Sequence, residues 1–203
     1  MNETRATTGL VMCGGEGSRL RPAVGDTEKP LVAVGGEPMI DRVVDALRAS
    51  SLSTIAAAVS PATPETAAYL AEIDGVERVE TAGAGYVADL DDALAGLEGP
   101  TVTVAADLPL LTADHVDRAV TAAGGDSLSV CVPASIPEKL GLSAEPTFDH
   151  AGETVVPTGL NIVGDNNERT AVWQAPRLAF NINRPADYQV VAAWLDGDTQ
   201  TKL

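Results

Sequence analysis

The sequence predicts an α/β protein in which a mostly parallel central sheet lies between two layers of helices. Short apolar runs alternate with stretches of helical spacing along most of the chain, and this alternation is typical of three-layer α/β/α folds. The chain has 203 residues, which is enough for one domain of this kind with a sizeable core. We therefore expect a single domain over residues 1–203.

Local signals define the elements of the first half. Residues 7–13 are an apolar run that enters a glycine-rich loop, and residues 53–60 are an apolar run followed by prolines, so both are expected to be buried strands. The spacing of apolar residues and the positions of glycine and proline place the remaining elements. On these signals we predict helices at 37–50, 64–73 and 85–97, an edge strand at 76–82, and over 101–111 a strand that leaves into a loop at Asp107.

The second half continues the alternation. Thr112 is the expected N-cap of a helix over 112–123, and Pro185 fits the first turn of a closing helix over 184–197. Several prolines interrupt residues 134–152, which we expect to be a loop or flap. Strands are predicted at 127–133, 153–164 and 178–183.

The composition is strongly acidic. The chain carries 29 acidic residues against 13 basic ones, a formal charge of −16, and the acidic residues are spread over the whole length. Such a surface repels nucleic acids and anionic membranes, so we expect neither as a partner. Only three basic residues are lysines, which favours adaptation to a salty cytoplasm, where salt screens the self-repulsion. An ordinary acidic soluble protein is the alternative.

Nothing in the sequence indicates a membrane or secreted protein. No stretch reaches the roughly 18 consecutive apolar residues that a membrane span needs, and the N-terminal residues lack a signal-peptide pattern. Cys13 and Cys131 are far apart and give neither a disulfide framework nor metal-ligand spacing. We expect a cytoplasmic protein; whether it forms a homodimer stays open.

The glycine loop after the first strand is a candidate anion site. Gly14, Gly15 and Gly17 allow a sharp turn in which several backbone N–H groups point at one anion. The dinucleotide fingerprint is excluded, because Leu20 stands where its third glycine would be, and a P-loop is excluded because no lysine follows the last glycine directly. On the glycines alone, a tight turn without a ligand is an equal alternative.

Three cations in the same loop favour a phosphate ligand. Arg19, Arg21 and Lys29 lie within eleven residues of a chain that is otherwise poor in basic side chains. Cations placed together repel one another, so an anion richer in charge than a carboxylate is the expected partner, and a triphosphate fits. Pro30 is expected to stiffen the segment that carries Lys29.

Asp107 is a candidate metal ligand. It follows a strongly apolar strand, so its carboxylate is expected at the carboxyl edge of the sheet, where open α/β sheets bind ligands. A carboxylate that faces a phosphate site needs a cation between them, and Mg²⁺ is the usual one. A role in capping the helix that begins near Thr112 is a strong alternative.

These segments carry a resemblance to a known family. LVMCGGEGSRL…EKPL is similar to the LxAGGxGxRM…KPL signature of nucleotidyltransferases that share the fold of molybdenum-cofactor guanylyltransferase. VAADLPLL resembles their metal-binding aspartate loop, and FNINRPADY resembles their closing N-I-N-T-P-E-D segment. The resemblance implies a Rossmann-like nucleotidyltransferase fold.

Within that superfamily the chain most resembles the archaeal GTP:adenosylcobinamide-phosphate guanylyltransferases. The further matches are AVSPATPET, TAGAGYVADLDDAL, VVPTGLNIV and FNIN. This resemblance implies transfer of GMP from GTP to a corrinoid phosphate in cobalamin biosynthesis, with Mg²⁺ as cofactor. Nucleotidyl transfer to molybdenum cofactor or to a sugar phosphate stays open, as does a non-catalytic nucleotide-binding role.

The resemblance also implies roles for individual residues. Arg19, Lys29 and Asp107 would be catalytic, and Asp107 and Asn183 would hold the metal. The implied nucleotide-binding residues are Gly14, Gly15, Gly17, Ser18, Gly83, Gly85, Tyr86, Gly159 and Asn181. The chain departs from the family in having Cys13 where alanine is usual, which we interpret as a packing variant, and the role of Arg21 stays open.

Several of these residues have an alternative interpretation. Asn181 and Asn183 would face one side of a strand around a buried Ile182, where their amides would otherwise satisfy backbone groups. Tyr86 is equally suited to stacking on a base and to covering the core. Asp89, Asp91 and Asp92 are expected to form a solvated helix face, although Asp89 could reach the ribose of a nucleotide.

Overall fold

The computed structural model describes residues 5–164, 167–195 and 197. Seven strands form the main path of a mixed sheet, in the order β10-β7-β9-β6-β1-β4-β5, and β8 pairs with β9 outside this path. The strands are β1 (Thr8–Met12), β2 (Ala33–Val34), β3 (Glu37–Pro38), β4 (Thr54–Val59), β5 (Glu77–Glu80), β6 (Thr101–Ala105), β7 (Ser127–Pro133), β8 (Phe148–His150), β9 (Glu153–Val163) and β10 (Glu168–Val172).

Helices alternate with these strands along most of the chain, as the sequence predicts, except at β2–β3 and at β8–β9–β10, where strands follow one another directly. The α-helices are α1 (Arg21–Val24), α2 (Met39–Arg48), α3 (Pro64–Ala71), α4 (Tyr86–Leu94), α5 (Ala113–Ala123), α6 (Ser135–Leu140) and α7 (Pro185–Leu195). Two 3₁₀ helices cover Lys29–Leu31 and Pro176–Ala179. Thr112 is the N-cap of α5, and its backbone N–H donates to His115 Nδ1 at 3.2 Å, so the predicted cap is confirmed.

The sheet is parallel except at one strand of its main path. β1 pairs in parallel with β4 and β6, β4 with β5, and β7 with β10, whereas β9 runs antiparallel between β6 and β7. β5 lies at one end of the path, so the predicted edge strand is confirmed. The β1–β6 register places Met12 beside Ala105, and the loops that follow these two strands therefore start side by side.

Hydrophobic residues cover both faces of the sheet, which confirms the three-layer arrangement. Along β1, Leu10 belongs to a cluster that includes Ala93 of α4, whereas Val11 belongs to the larger cluster that includes residues of α2 and α5. Successive strand residues point to opposite faces, so a continuous apolar strand must be covered on both sides. The apolar character of the central strands follows directly from this burial.

The predicted strand at 178–183 is wrong. Pro176–Ala179 form a 3₁₀ helix, and irregular chain follows it. Asn181 N–H donates to Ala179 O at 2.9 Å and Ile182 N–H donates to Asp107 O at 3.1 Å, so this chain makes a tight turn and one bond to a neighbouring loop instead of a ladder. The predicted burial of Ile182 is confirmed.

The segment 134–152 contains more structure than the expected loop or flap. It forms α6 and the strand β8, which pairs antiparallel with β9. Pro137 lies in the first turn of α6, where proline needs no backbone donor, and Gly141 ends the helix with φ +74°. Prolines are therefore compatible with this short helix.

Candidate functional site

A cavity of about 390 Å³ lies at the carboxyl edge of the parallel strands. Its walls come from the loops that follow β1, β4, β5 and β6, which is the position where open α/β sheets bind ligands. The lining residues are Met12, Cys13, Gly14, Gly15, Glu16, Lys29, Pro30, Ala58, Ala62, Thr81, Gly83, Gly85, Tyr86, Asp89, Ala105, Ala106 and Asp107.

The first glycine loop requires two of its glycines, Gly14 and Gly17, for close packing. A Cβ on Gly14 would lie 3.1 Å from Ser60 Cβ, and Ser60 Oγ donates a hydrogen bond to Gly14 O at 2.9 Å. Gly17 has φ +58°, and a Cβ there would lie 2.7 Å from Lys29 Cβ. The loop therefore folds directly onto the segment that carries Lys29, as a shared anion site requires.

Lys29 joins the two predicted metal ligands. Its ammonium forms an ion pair with Asp107 Oδ2 and donates to Asn183 Oδ1 at 2.9 Å. Asn183 Nδ2 in turn donates to Asn181 Oδ1 at 2.7 Å. The lysine and aspartate side chains are only 15% and 13% exposed, so water screens this pair much less than a surface pair. We call these four residues the lysine–aspartate centre.

Asp187 positions one side of this centre, although sequence reasoning missed it. The carboxylate is fully buried, and its Oδ2 accepts from the backbone N–H of Asn183 at 3.0 Å and of Arg184 at 2.8 Å. The same carboxylate accepts from the backbone N–H and the hydroxyl of Ser143 at 2.7 and 2.8 Å. The signal was its place two residues after Pro185, where a first-turn carboxylate can bond back to the residues before a helix.

Glu28 positions the other side of the centre. Its carboxylate accepts from the backbone N–H of Glu65 at 2.8 Å and of Thr66 at 2.6 Å, in the first turn of α3. Helix N-termini favour negative charge and leave N–H groups without intrahelical partners. Lys29 therefore follows a residue that is fixed to a helix end, and the buried Pro30 stiffens the next position.

Asp89 differs from the expectation of a solvated helix face. Its side chain is buried, lines the cavity, and accepts from the backbone N–H of Gly83 at 2.8 Å and of Ala84 at 3.1 Å. Its neighbours Asp91 and Asp92 are exposed as predicted. The second glycine loop, residues 83–85, lies directly before α4, and its N–H groups donate to Asp89. Asp89 is therefore buried, whereas Asp91 and Asp92 are not.

The structure brings about half of the predicted site residues to the cavity wall. Those that line it are Gly14, Gly15, Lys29, Gly83, Gly85, Tyr86 and Asp107. Tyr86 is 53% exposed, so it does not cover the core. Gly17 and Gly159 lie next to this region: an added Cβ would meet Lys29 at Gly17, and at Gly159 it would lie 3.5 Å from Asn181 Nδ2 of the lysine–aspartate centre. Ser18 and Arg19 are exposed and lie outside the lining set, so their ligand-binding roles stay predictions.

The donor set around Asp107 fits Mg²⁺. Asp107 Oδ1 is buried and has no hydrogen-bond partner among the described residues, and Asn183 Oδ1 is a second hard oxygen nearby, joined to Asp107 through Lys29. Across residues 5–164 and 167–195, three or more His, Cys, Asp or Glu side chains nowhere gather as a metal site. Mg²⁺ suits so few protein ligands, since it keeps waters and phosphate oxygens in its shell.

Cys13 is a packing residue at the base of the cavity. Its thiol is buried, and burial, followed by the nearby charge of Asp107, raises the pKa of Cys13 well above its ordinary value. A thiol with a raised pKa is a poor nucleophile. The interpretation of Cys13 as an alanine-like packing variant therefore agrees with its surroundings.

The fold and cavity define the class to which the chain belongs. Residues 9–174 match the family model described as the MobA-like NTP transferase domain, so the chain is a nucleotidyltransferase by class. It belongs to the MobA-like NTP transferase family. No described helix is long and apolar enough to cross a bilayer.

Individual relatives agree with this family. Adenosylcobinamide-phosphate guanylyltransferase of Methanocaldococcus jannaschii is 29% identical over 93% of this chain and 97% of its own length. The bifunctional protein GlmU of Rhodospirillum rubrum is 26% identical over 93% of this chain, but the match spans only 41% of GlmU.

Solved structures show the same fold. CMP:2-keto-3-deoxy-manno-octonic acid synthetase, complexed with CTP, superposes with a TM-score of 0.68 at 14% identity and covers 96% of this chain and 100% of its own. The inositol-1-phosphate CTP transferase of T. maritima superposes with a TM-score of 0.66 at 12% identity, covering 96% and 98%.

Proposed function

We propose that this chain transfers the GMP unit of GTP to adenosylcobinamide phosphate, giving adenosylcobinamide-GDP and pyrophosphate in cobalamin biosynthesis. The observation that carries the proposal is the match to the M. jannaschii guanylyltransferase, which extends over nearly the full length of both chains. A match of this length also includes residues 81–94 and 155–163, two of the segments that carry the resemblance to the archaeal guanylyltransferases.

The reaction needs no general base. The acceptor is a phosphate monoester whose ionised oxygen attacks the α-phosphorus of GTP, while the bond from that phosphorus to the bridging oxygen breaks and releases pyrophosphate. Catalysis then consists of positioning the reactants and neutralising charge. Lys29 lies in the cavity wall beside the glycine loop, where its ammonium would stabilise charge that develops on the leaving pyrophosphate. Arg19 would add a second positive charge from the loop.

The lysine–aspartate centre would also prepare the metal side of the reaction. Asp107 Oδ1 and the side-chain oxygen Oδ1 of Asn183 would hold Mg²⁺, which as a Lewis acid would stabilise negative charge on the phosphates. The ammonium of Lys29 forms an ion pair with the Asp107 carboxylate and neutralises it. Triphosphate oxygens would give that ammonium an alternative partner, so nucleotide binding and metal binding would support each other.

A sugar phosphate or molybdenum cofactor is the second candidate acceptor. The mannose-1-phosphate guanyltransferase of Kluyveromyces lactis is 44% identical, but over only 26% of this chain. So short a match supports membership of the nucleotidyltransferase class and does not favour this acceptor over a corrinoid phosphate. A non-catalytic nucleotide-binding protein would have no use for a buried carboxylate oxygen that lacks a partner, as Asp107 has.

Two assays test the proposal in sequence. Thermal shift with GTP, ATP, CTP and UTP, each with Mg²⁺, should show stabilisation by GTP above the other three. Product analysis with adenosylcobinamide phosphate, mannose 1-phosphate and molybdenum cofactor as acceptors should then show adenosylcobinamide-GDP and pyrophosphate in equal amounts. Formation of GDP-mannose, or of the dinucleotide form of molybdenum cofactor, at the higher rate would overturn the corrinoid assignment.

A further inference from the structure

Asp89 uses one carboxylate oxygen to close the second glycine loop. Oδ1 accepts from the backbone N–H of Gly83 at 2.8 Å and of Ala84 at 3.1 Å, which ties this loop to the first turns of α4. The side chain is only 5% exposed and lines the cavity. One oxygen therefore accounts for the structural role of the residue.

The second oxygen faces the first glycine loop. Asp89 Oδ2 lies 3.7 Å from the position that a Cβ on Gly14 would occupy, and no described residue donates a hydrogen bond to it. A buried carboxylate is costly unless donors satisfy it. This oxygen is therefore an acceptor that is open to the cavity between the two glycine loops, on a side chain that is otherwise buried.

The chemistry of a nucleotide limits what this acceptor can bind. Triphosphate oxygens are acceptors themselves and repel a carboxylate, so only the ribose hydroxyls and the N–H groups of the base can donate to it. The ribose is bonded directly to the α-phosphate, whereas the base lies one sugar further away. Because Oδ2 lies next to Gly14, at the start of the phosphate loop, the ribose is the donor at the right distance.

We propose that Asp89 is a specificity-determining residue that selects ribonucleotides by accepting a hydrogen bond from the 2′- or 3′-hydroxyl of the ribose. The inference rests on the proposed function in one respect, that the cavity holds a nucleoside triphosphate. It is independent of the acceptor and of the transfer step. The first glycine loop would then bind the phosphates, and Asp89 would bind the ribose.

The test compares analogues that lack one hydroxyl. Calorimetric titration with Mg²⁺ and GTP, 2′-deoxy-GTP or 3′-deoxy-GTP should show about tenfold weaker binding of the analogue whose hydroxyl contacts Asp89, since a hydrogen bond to a charged group is lost. Inosine triphosphate, which lacks the guanine amino group but keeps both hydroxyls, tests the base as donor. This part of the experiment uses the wild-type chain and depends on no variant folding.

Asp89→Asn replaces the free oxygen, which accepts hydrogen bonds, with an amino group that donates them, and it also removes the negative charge. The asparagine carbonyl can keep both backbone hydrogen bonds, and its amino group replaces Oδ2. We expect GTP affinity to fall about tenfold and the preference for GTP over the critical deoxy analogue to drop to about twofold or less. Asp92→Asn on the same helix makes the same charge change at an exposed position and should keep the wild-type preference.

The outcomes separate this inference from the proposed function. Tight binding of GTP and of both deoxy analogues would overturn the ribose assignment and leave guanylyl transfer intact. A preference that Asp89→Asn leaves unchanged, or a loss of discrimination against inosine triphosphate alone, would also overturn it. Hydroxyl-dependent GTP binding without any transfer product would instead support the role of Asp89 and contradict the proposed function.

Discussion

Two parts of the site differ in how completely the folded chain fixes them. The lysine–aspartate centre is largely buried, and Asp187 and Glu28 hold its two sides through charged hydrogen bonds to backbone N–H groups. In the first glycine loop, by contrast, Gly15, Ser18 and Arg19 are exposed. The difference indicates that contacts within the chain already organise the lysine–aspartate centre. Under the proposed function, its charges would be in place before the nucleotide binds, and such preorganisation contributes strongly to catalysis.

The largest expected effect comes from breaking the lysine–aspartate centre. Lys29→Ala and Asp107→Ala should each reduce turnover by about 100-fold or more, because each removes one member of a largely buried ion pair that, under the proposed function, would lie beside the transferred phosphate. Steady-state rates of pyrophosphate release measure the loss. The matched controls Lys139→Ala and Asp92→Ala change exposed side chains and should keep wild-type rates. Near-wild-type turnover in either site variant would remove that residue from the mechanism.

Asp187→Asn tests whether the hydrogen bonds that position Asn183 in the lysine–aspartate centre also contribute to turnover. An asparagine retains the shape but weakens four hydrogen bonds that the buried carboxylate accepts. Charged hydrogen bonds contribute about 1.5–3 kcal/mol each, so we expect turnover to fall about tenfold and Mn²⁺ to bind more weakly in the presence of GTP. Electron paramagnetic resonance measures the bound Mn²⁺.

Ser143→Ala is the control for that variant. It removes only the hydroxyl donor to Asp187 and leaves the hydrogen bonds to Asn183 and Arg184 in place. We expect its Mn²⁺ affinity to match that of the wild type. If Asp187→Asn lowers the melting temperature while turnover and Mn²⁺ binding stay unchanged, Asp187 only caps α7.

Arg19→Ala measures the contribution of the exposed loop. Solvent-exposed ion pairs contribute little, so we expect the KM for GTP to rise only about fivefold, with a smaller change in kcat. Initial rates over a GTP series separate the two parameters. A loss of kcat as large as that of Lys29→Ala would show that the loop closes over the nucleotide and that the contrast between the two regions disappears in the complex.

The smallest effect concerns the surface outside both regions. With a formal charge of −16, the folded chain repels itself, and molar salt shortens the screening length to about 3 Å. We expect the melting temperature to rise by several degrees between low and molar KCl. An unchanged melting temperature would favour the interpretation of an ordinary acidic protein.

The sequence predicted the strands and helices correctly where local signals and burial agree. The alternation of apolar runs and helical spacing predicted the parallel sheet, and Thr112 predicted the start of α5. It failed at 178–183, where apolar residues are buried through tertiary packing on an irregular chain, so their pattern resembles that of a strand. The short pieces α6, β8 and β10 depend on neighbouring strands, which no local pattern reveals.

The site shows the same division. Gly14, Lys29 and Asp107 stand in segments whose composition is unusual, and they meet at one sheet edge. Asp89 and Asp187 belong to helices with ordinary polar residues, and only the folded chain shows that both carboxylates are buried against backbone N–H groups. The place of Asp187 two residues after Pro185 indicates a capping carboxylate, but neither charge nor spacing shows that Asp187 or Asp89 is buried.

A crystal structure of the chain with GTP and Mg²⁺ tests the central claim most directly. The account predicts a triphosphate between Gly14 and Lys29, with the metal about 2.1 Å from Asp107 Oδ1 and the ammonium of Lys29 on a phosphate oxygen. A nucleotide bound elsewhere, or a metal whose shell excludes Asp107, would contradict it.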